Sequence, residues 1–309
     1  MIINNKQSLI SEITTFAPWL AGQVFKRASS GTRHEVYLSD QYVIRISHND
    51  TELIRRESEL LHALHHPLVP TVLWNGAVAG GCAMIERRLP GLTLDTTWRS
   101  MTADSKQRVV NEVVDFLIYL RTQTGGIFYS VSTGRRHKSA QYHLTAGLAK
   151  KLHYIERLTA ARSLVADIAT ILRRSIGTKI RPTLAHGDLI IHNLLTDGQK
   201  LTGVLDWEFA RYTVRDYDLF RLRYYQECAA AYVVTGNDET YESDYMRQLI
   251  AAIYGAGLIK NEDEFENQYT FLRALFFLDA LVWAAKSQRP EEEAAGLVVM
   301  WNKKSGPND

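Results

Sequence analysis

Between His186 and Glu208 the chain reads HGDLIIHNLL, then a short polar turn, then LTGVLDWE. One carboxylate, Asp188, stands five residues before an amide, Asn193, and a second carboxylate, Asp206, follows a hairpin. Leu194-Leu195 is apolar, Thr196-Asp197-Gly198-Gln199 supplies a turn, and Leu201 to Leu205 is apolar again. Asp-Gly between two apolar runs is a strong hairpin signal. Asp188 then lies in the loop before the first strand and Asp206 at the exit of the second, so one end of the hairpin gathers all three groups. Each residue alone reads most simply as a cap or a strand start. All three at this spacing, with Trp207-Glu208 behind them, point to phosphoryl transfer from a magnesium nucleotide. That reaction needs one carboxylate to orient the attacking hydroxyl and take its proton, and a carboxylate and an amide oxygen to hold the metal. Magnesium favours such hard oxygen ligands without a dedicated protein cage.

The first part of the chain, from about Gln23 to Glu86, reads as a small sheet with one helix. Ser29-Ser30-Gly31-Thr32 forms a loop of small residues ahead of a strand at Glu35 to Leu38, and Tyr42 to Ile46 makes the next strand. Small residues between strands let backbone N–H groups approach phosphates closely. A plain hairpin has the same look, so the loop takes its meaning from its place in the order.

The following helix carries a sharper argument. Leu53, Ile54, Leu60, Leu61 and Leu64 form a stripe of helical period. Glu57 falls inside that stripe, and its neighbours three and four residues away on both sides are all aliphatic. A carboxylate turned toward a core is costly unless it is paired. Arg45, at the middle of the preceding strand, is the nearest suitable cation. The competing reading leaves Arg45 exposed and lets Glu57 reach water.

The order loop, strand cation, helix Glu, HGD-x4-N and DWE resembles the aminoglycoside phosphotransferase and choline kinase group, small-molecule kinases of the protein-kinase fold. The resemblance implies an α+β, bilobal chain. A nucleotide-binding lobe of antiparallel strands and one main helix would span 1–86, a hinge 87–91, and a larger helical lobe with the acceptor site 92–309. It implies Asp188 as the catalytic residue, Asn193 and Asp206 as Mg2+ ligands, and ATP or GTP as phosphoryl donor. Ser29, Ser30, Gly31, Thr32, Arg45 and Glu57 would face the nucleotide, and Glu86, Arg87 and Arg88 would line the adenine as part of a hinge ending in Leu-Pro-Gly. Many relatives carry Lys where this chain has Arg45, although some of the group's small-molecule kinases carry Arg. Arg keeps its charge and grips two oxygens at once, so the anchoring role survives. Asp218 matches an acidic position that buttresses the catalytic loop.

The acceptor is less legible. Only about a dozen residues separate Asp206 from Asp218, whereas a protein kinase places a longer activation segment after its metal-binding Asp and a Phe-Gly directly behind it. A small hydroxyl-bearing molecule is therefore expected, either an aminoglycoside-type antibiotic or a metabolite such as an amino alcohol, sugar or vitamin precursor. A nucleotide-binding pseudokinase is the alternative of a different class, opposed by the presence of all three catalytic groups. Acidic residues suited to a polycation exist (Asp238, Glu239, Glu242, Asp244, Glu262, Asp263, Glu264), but they read first as solvated faces or helix starts. One basic run, Arg135-Arg136-His137-Lys138, reads as a solvated loop or, as a minority reading, reaches toward an anionic acceptor or the nucleotide phosphates.

Composition narrows the rest. The 309 residues are 46% hydrophobic and 23% charged, with a net charge of +2, so neither a membrane nor a nucleic-acid partner is expected. The most apolar stretch, Phe271 to Ala285, is interrupted by Arg273 and Asp279 and is too short to span a bilayer. Two cysteines, Cys82 and Cys228, give no disulfide framework or zinc site. With no basic leader followed by an apolar run at the start, a cytoplasmic protein is the expectation. Oligomeric state is left open.

Overall fold

The computed structural model describes residues 12–28, 34–174, 180–227 and 239–302, with the side chains of 239–243 left aside. Its upper lobe is a five-stranded antiparallel sheet. The strands are β1 (Lys26–Arg27), β2 (Glu35–Leu38), β3 (Tyr42–Ser47), β4 (Val72–Val78) and β5 (Gly81–Arg87), in the order β1-β2-β3-β5-β4. Alternation along β3 sends Ile44 and Ile46 to one face, where they pack with Ile13, Ala17 and Leu20. Arg45 therefore belongs to the other face, shared with helix α1 (Thr51–Ala63).

Local chemistry sets both ends of α1. The Asp50 carboxylate accepts the N–H of Leu53 at 3.1 Å, satisfying one of the free donors of the first turn. The helix stops at Leu64, whose backbone is extended, and Pro67 and Pro70 follow. Leu53, Ile54, Leu60 and Leu61 are buried in the same apolar cluster as the lower lobe, so this helix shares the lower lobe's core, apart from the cluster on the far face of the sheet.

After β5 come β6 (Leu92–Thr93), α2 (Ala103–Thr122), β7 (Phe128–Ser130), β8 (Arg136–His137), α3 (Ala140–Leu144), α4 (Leu148–Ile155) and α5 (Arg162–Leu172). They are followed by β9 (Thr183–Ala185), β10 (Leu194–Thr196), β11 (Leu201–Val204), β12 (Arg211–Thr213), α6 (Tyr217–Glu227), α7 (Glu239–Gly255), α8 (Glu262–Ala284) and α9 (Pro290–Asn302). The expected hairpin is β10–β11, with Leu195 opposite Gly203, and β6 extends it on the far side of β10. A second small sheet, in the order β8-β7-β12-β9, carries the chain past the loop from His186 to Asn193. Neither β6 nor this second sheet is foreseen by a mostly helical reading of the lower lobe. Their strands are two or three residues long, too short to show any alternation. Among the described residues, no helix is long and apolar enough to cross a membrane.

Candidate active site

The loop from His186 to Asn193 is held from beneath by one buried carboxylate. Asp218, at the start of α6, accepts the N–H of His186 at 2.8 Å and that of Gly187 at 2.7 Å. Gly187 has φ +85, and a Cβ there would meet the Phe209 carbonyl oxygen at 2.4 Å, so only glycine fits. The His186 ring ties the loop to the segment before Asp206. Its Nε2 lies 2.9 Å from the Leu205 carbonyl, and its Nδ1 accepts the Asp188 N–H at 3.3 Å. One tautomer, with the proton on Nε2, satisfies both bonds.

Asp188 is then oriented from two sides. The Asn193 amide nitrogen donates to the Asp188 main-chain carbonyl at 2.8 Å and to its Oδ2 at 3.1 Å. The Tyr225 hydroxyl donates to Oδ1 at 2.5 Å. Sequence reasoning missed Tyr225, because a residue 37 positions away has no local signal linking it to Asp188.

Asp206 sits at φ 64, ψ 70, a left-handed conformation uncommon for a residue with a side chain. Trp207 anchors the turn, wholly buried with its Nε1 donating to the Val204 carbonyl at 3.0 Å. Burial raises the Asp206 pKa; Arg45 and His186 oppose the rise, while Glu57 and Asp188 add to it. No described residue donates a hydrogen bond to this carboxylate. Since Asn193 uses its amide nitrogen on Asp188, its carbonyl oxygen is left for another partner. A divalent cation fits this pair of hard oxygens. Among the described residues there is no cluster of three or more His, Cys, Asp or Glu that could hold a metal. Asp206 and Asn193 would thus leave most of the coordination shell to phosphate and water, as magnesium commonly does.

Arg45 and Glu57 meet as the helix-face argument requires. Glu57 is fully buried, and its Oε1 lies 2.5 Å from Nη1 of Arg45. Glu86 joins them at 3.9 Å from the same nitrogen. Glu86 is 5% exposed, and burial pushes its pKa up to about 7 against the pull of Arg45, with Glu57 adding to the rise. Glu86 thus stands inside β5 as part of the cation's surroundings. The segment expected as a hinge follows it: the N–H of Arg87 is given to the Thr71 carbonyl and that of Arg88 to the Gln41 carbonyl, both at 2.9 Å. Nη1 of Arg88 also donates to the Ser39 carbonyl at 2.7 Å. Ser29, Ser30, Gly31 and Thr32 lie outside the described residues. A cavity of about 620 Å³ between Gly91, Arg108 and Gln199 contains none of Asp188, Asn193 and Asp206.

The residue beside Glu57 closes the arrangement. Arg56 crosses to the lower lobe, where Nε donates to the Val131 carbonyl at 2.7 Å and Nη2 to that of Ser132 at 3.3 Å.

A small sheet-and-helix lobe over a larger helical one, with a carboxylate–amide–carboxylate set at their junction, defines a phosphotransferase of kinase-like fold. A family model described as the phosphotransferase enzyme family (APH) matches residues 24–251, and the chain belongs to that family. Comparison with curated proteins gives no match. Among solved structures, aminoglycoside phosphotransferase APH(4)-Ia is similar at TM-score 0.69 and 14% identity, over 96% of this chain and 100% of that one. A thermostable mutant of that protein, in ternary complex with AMP-PNP and hygromycin B, gives TM-score 0.67 and 14% identity, over 94% and 99%. The gentamicin complex of APH(2")-IIa gives 0.62 and 16%, over 94% and 95%. At such identities the likeness shows a shared fold.

Proposed function

We propose that this protein transfers the γ-phosphoryl group of a magnesium nucleotide, ATP or GTP, to a hydroxyl of a small molecule. The observation that carries this reading is Asp188. It is a carboxylate clamped by Asn193 and Tyr225, at the same end of the β10–β11 hairpin as Asp206. In this reading Asp188 orients the acceptor hydroxyl and receives its proton, and Arg45, fixed by Glu57, contacts the nucleotide phosphates. Asn193 and Asp206 would hold Mg2+, which supplies charge neutralisation on the phosphates. The short path from Asp206 through β12 into α6 supports a small acceptor over a peptide. An aminoglycoside-type acceptor is supported by the ligands of the similar structures, at 14–16% identity. Of the acidic residues suited to a polycation, Asp244 is engaged by Trp98, Gln248 and Arg247, and Glu262, Asp263 and Glu264 form the first turn of α8.

The test is Asp188→Asn. Nucleotide affinity, measured by calorimetry with magnesium, should stay close to that of the parent. Turnover should fall by about two to four orders of magnitude, the range expected of a lost acid–base group. Near-normal turnover in this variant would remove Asp188 from the chemistry.

A further inference from the structure

A cavity of about 380 Å³ opens beside the catalytic loop, within the size range of small-molecule sites. Gly187, the residue before Asp188, and Phe209, three residues after Asp206, form part of its wall. Opposite them stand the β7–β8 loop and α8. The basic run noted in the sequence enters here, with Arg135 and His137 both lining the cavity.

Charge is the distinguishing property of this space. Arg135, Lys151, Arg211 and Arg221 line it, and the sole carboxylate among the described lining residues is Asp279. That carboxylate already lies 2.5 Å from Nζ of Lys151. Arg211 lies flat on Tyr217, 4.8 Å from the ring centre, and its Nε donates to the Phe209 carbonyl at 3.1 Å. Among the described residues nothing accepts from its two terminal nitrogens and neither it nor Arg135 forms a salt bridge; Asp218, bound to the His186 and Gly187 N–H groups, is within electrostatic reach of Arg211. His143, on the same wall, is pushed down to about 4, mainly by burial and then by Arg211 and His137.

The cavity also connects to the chemistry. Arg221 donates through Nε to the Tyr225 hydroxyl at 3.0 Å, and that hydroxyl is the one bound to Oδ1 of Asp188. We infer that the acceptor is an anionic hydroxyl compound, bearing a carboxylate or a phosphate, gripped by Arg211 and Arg135 in the cavity beside Asp188. A planar guanidinium with both terminal nitrogens available matches either oxyanion in two-pronged fashion. A polycationic acceptor would bring like charges against described lining residues that are in cationic excess. This rests on the kinase reading for the identity of the site and sets the charge of this chain's cavity against the aminoglycoside-type acceptor that the ligands of the similar structures favour.

The test is calorimetric titration of the full chain, saturated with AMP-PNP and magnesium. The probes are glycerol 3-phosphate, glycerate and spermidine. Both anions should bind, their relative affinities separating phosphate from carboxylate recognition, and spermidine should not. Arg211→Ala, and Arg135→Ala at its exposed position, should each weaken anion binding by about tenfold or more while leaving AMP-PNP affinity unchanged. Arg211→Lys should retain part of the binding. The inference falls if neither anion binds at millimolar concentration, if spermidine binds as well as they do, or if neither alanine variant alters anion affinity. Failure of AMP-PNP itself to bind would instead remove the kinase reading, and titration of the nucleotide-free protein would still decide the charge preference of the cavity.

Discussion

Oδ1 of Asp188 accepts a hydrogen bond from the Tyr225 phenol at 2.5 Å, across 37 residues of chain. With Asn193 on Oδ2, the carboxylate has its rotamer set before any acceptor arrives. Orientation of a catalytic group governs the reacting complex more than the binding of nucleotide. Tyr225→Phe should therefore lower kcat by roughly tenfold and leave the KM for nucleotide nearly unchanged, consistent with one lost hydrogen bond to a charged group. Steady-state kinetics at saturating acceptor would read this directly, and an unaltered kcat would make the contact incidental.

Arg45 is the cation on which the upper lobe depends. Arg45→Ala should leave Glu57 buried without a partner, destabilising the chain by roughly 3–5 kcal/mol in chemical denaturation. The KM for nucleotide should rise in the same variant. Arg45→Lys should be far milder, because the charge stays while the two-pronged grip is lost. Equal losses in the two variants would show that shape, not charge, is what the site requires.

Glu86 gives a dependence on pH with a definite sign. Its pKa is raised from 4.5 to about 7, first by burial, so the folded chain keeps a proton that the unfolded chain releases. Stability from this group is then present at low pH and falls as pH rises from about 4.5 to about 7. Glu86→Gln should flatten that portion of the stability profile. Denaturation midpoints of variant and parent, compared at about pH 5 and about pH 8, would show it. If the two differ by the same amount at both pH values, Glu86 does not titrate in this window.

Asp206 is half-buried and has no hydrogen-bond donor among the described residues, which suits a cation. Asp206→Ala should abolish magnesium-stimulated nucleotide turnover, and Asn193→Ala should weaken it less, since an amide oxygen carries no net charge. A magnesium titration of turnover in each variant separates them. Unchanged magnesium dependence in Asp206→Ala would place the metal elsewhere.

The parts legible in the sequence were those governed by short-range rules. Asp-Gly marked the hairpin, and helical period marked Glu57 as core-facing, which left Arg45 as its natural partner. Asp218 was visible by resemblance as a buttress, and its two backbone contacts supply the physical reason. Tyr225 and Arg56 were not legible, because each finds its partner through the tertiary path of the chain, not through local spacing. Glu86 reads as hinge in a linear scan. Its role as a buried neighbour of Arg45 follows only from the pairing of β3 with β5.

Arg56 has one further consequence. Helix α1 presents consecutive residues in two directions, Glu57 inward to Arg45 and Arg56 downward to the Val131 and Ser132 carbonyls. Rotating or withdrawing this helix would break both interlobe bonds together with the Arg45–Glu57 pair. Each neutral-acceptor bond to a charged donor is worth roughly 1.5–3 kcal/mol. The carbonyls belong to the segment that leads into the cationic cavity, so the Arg45–Glu57 pair and one wall of that cavity are tied to the same helix. Displacing that helix would therefore disturb the cation of the sheet and the wall of the cavity in one movement.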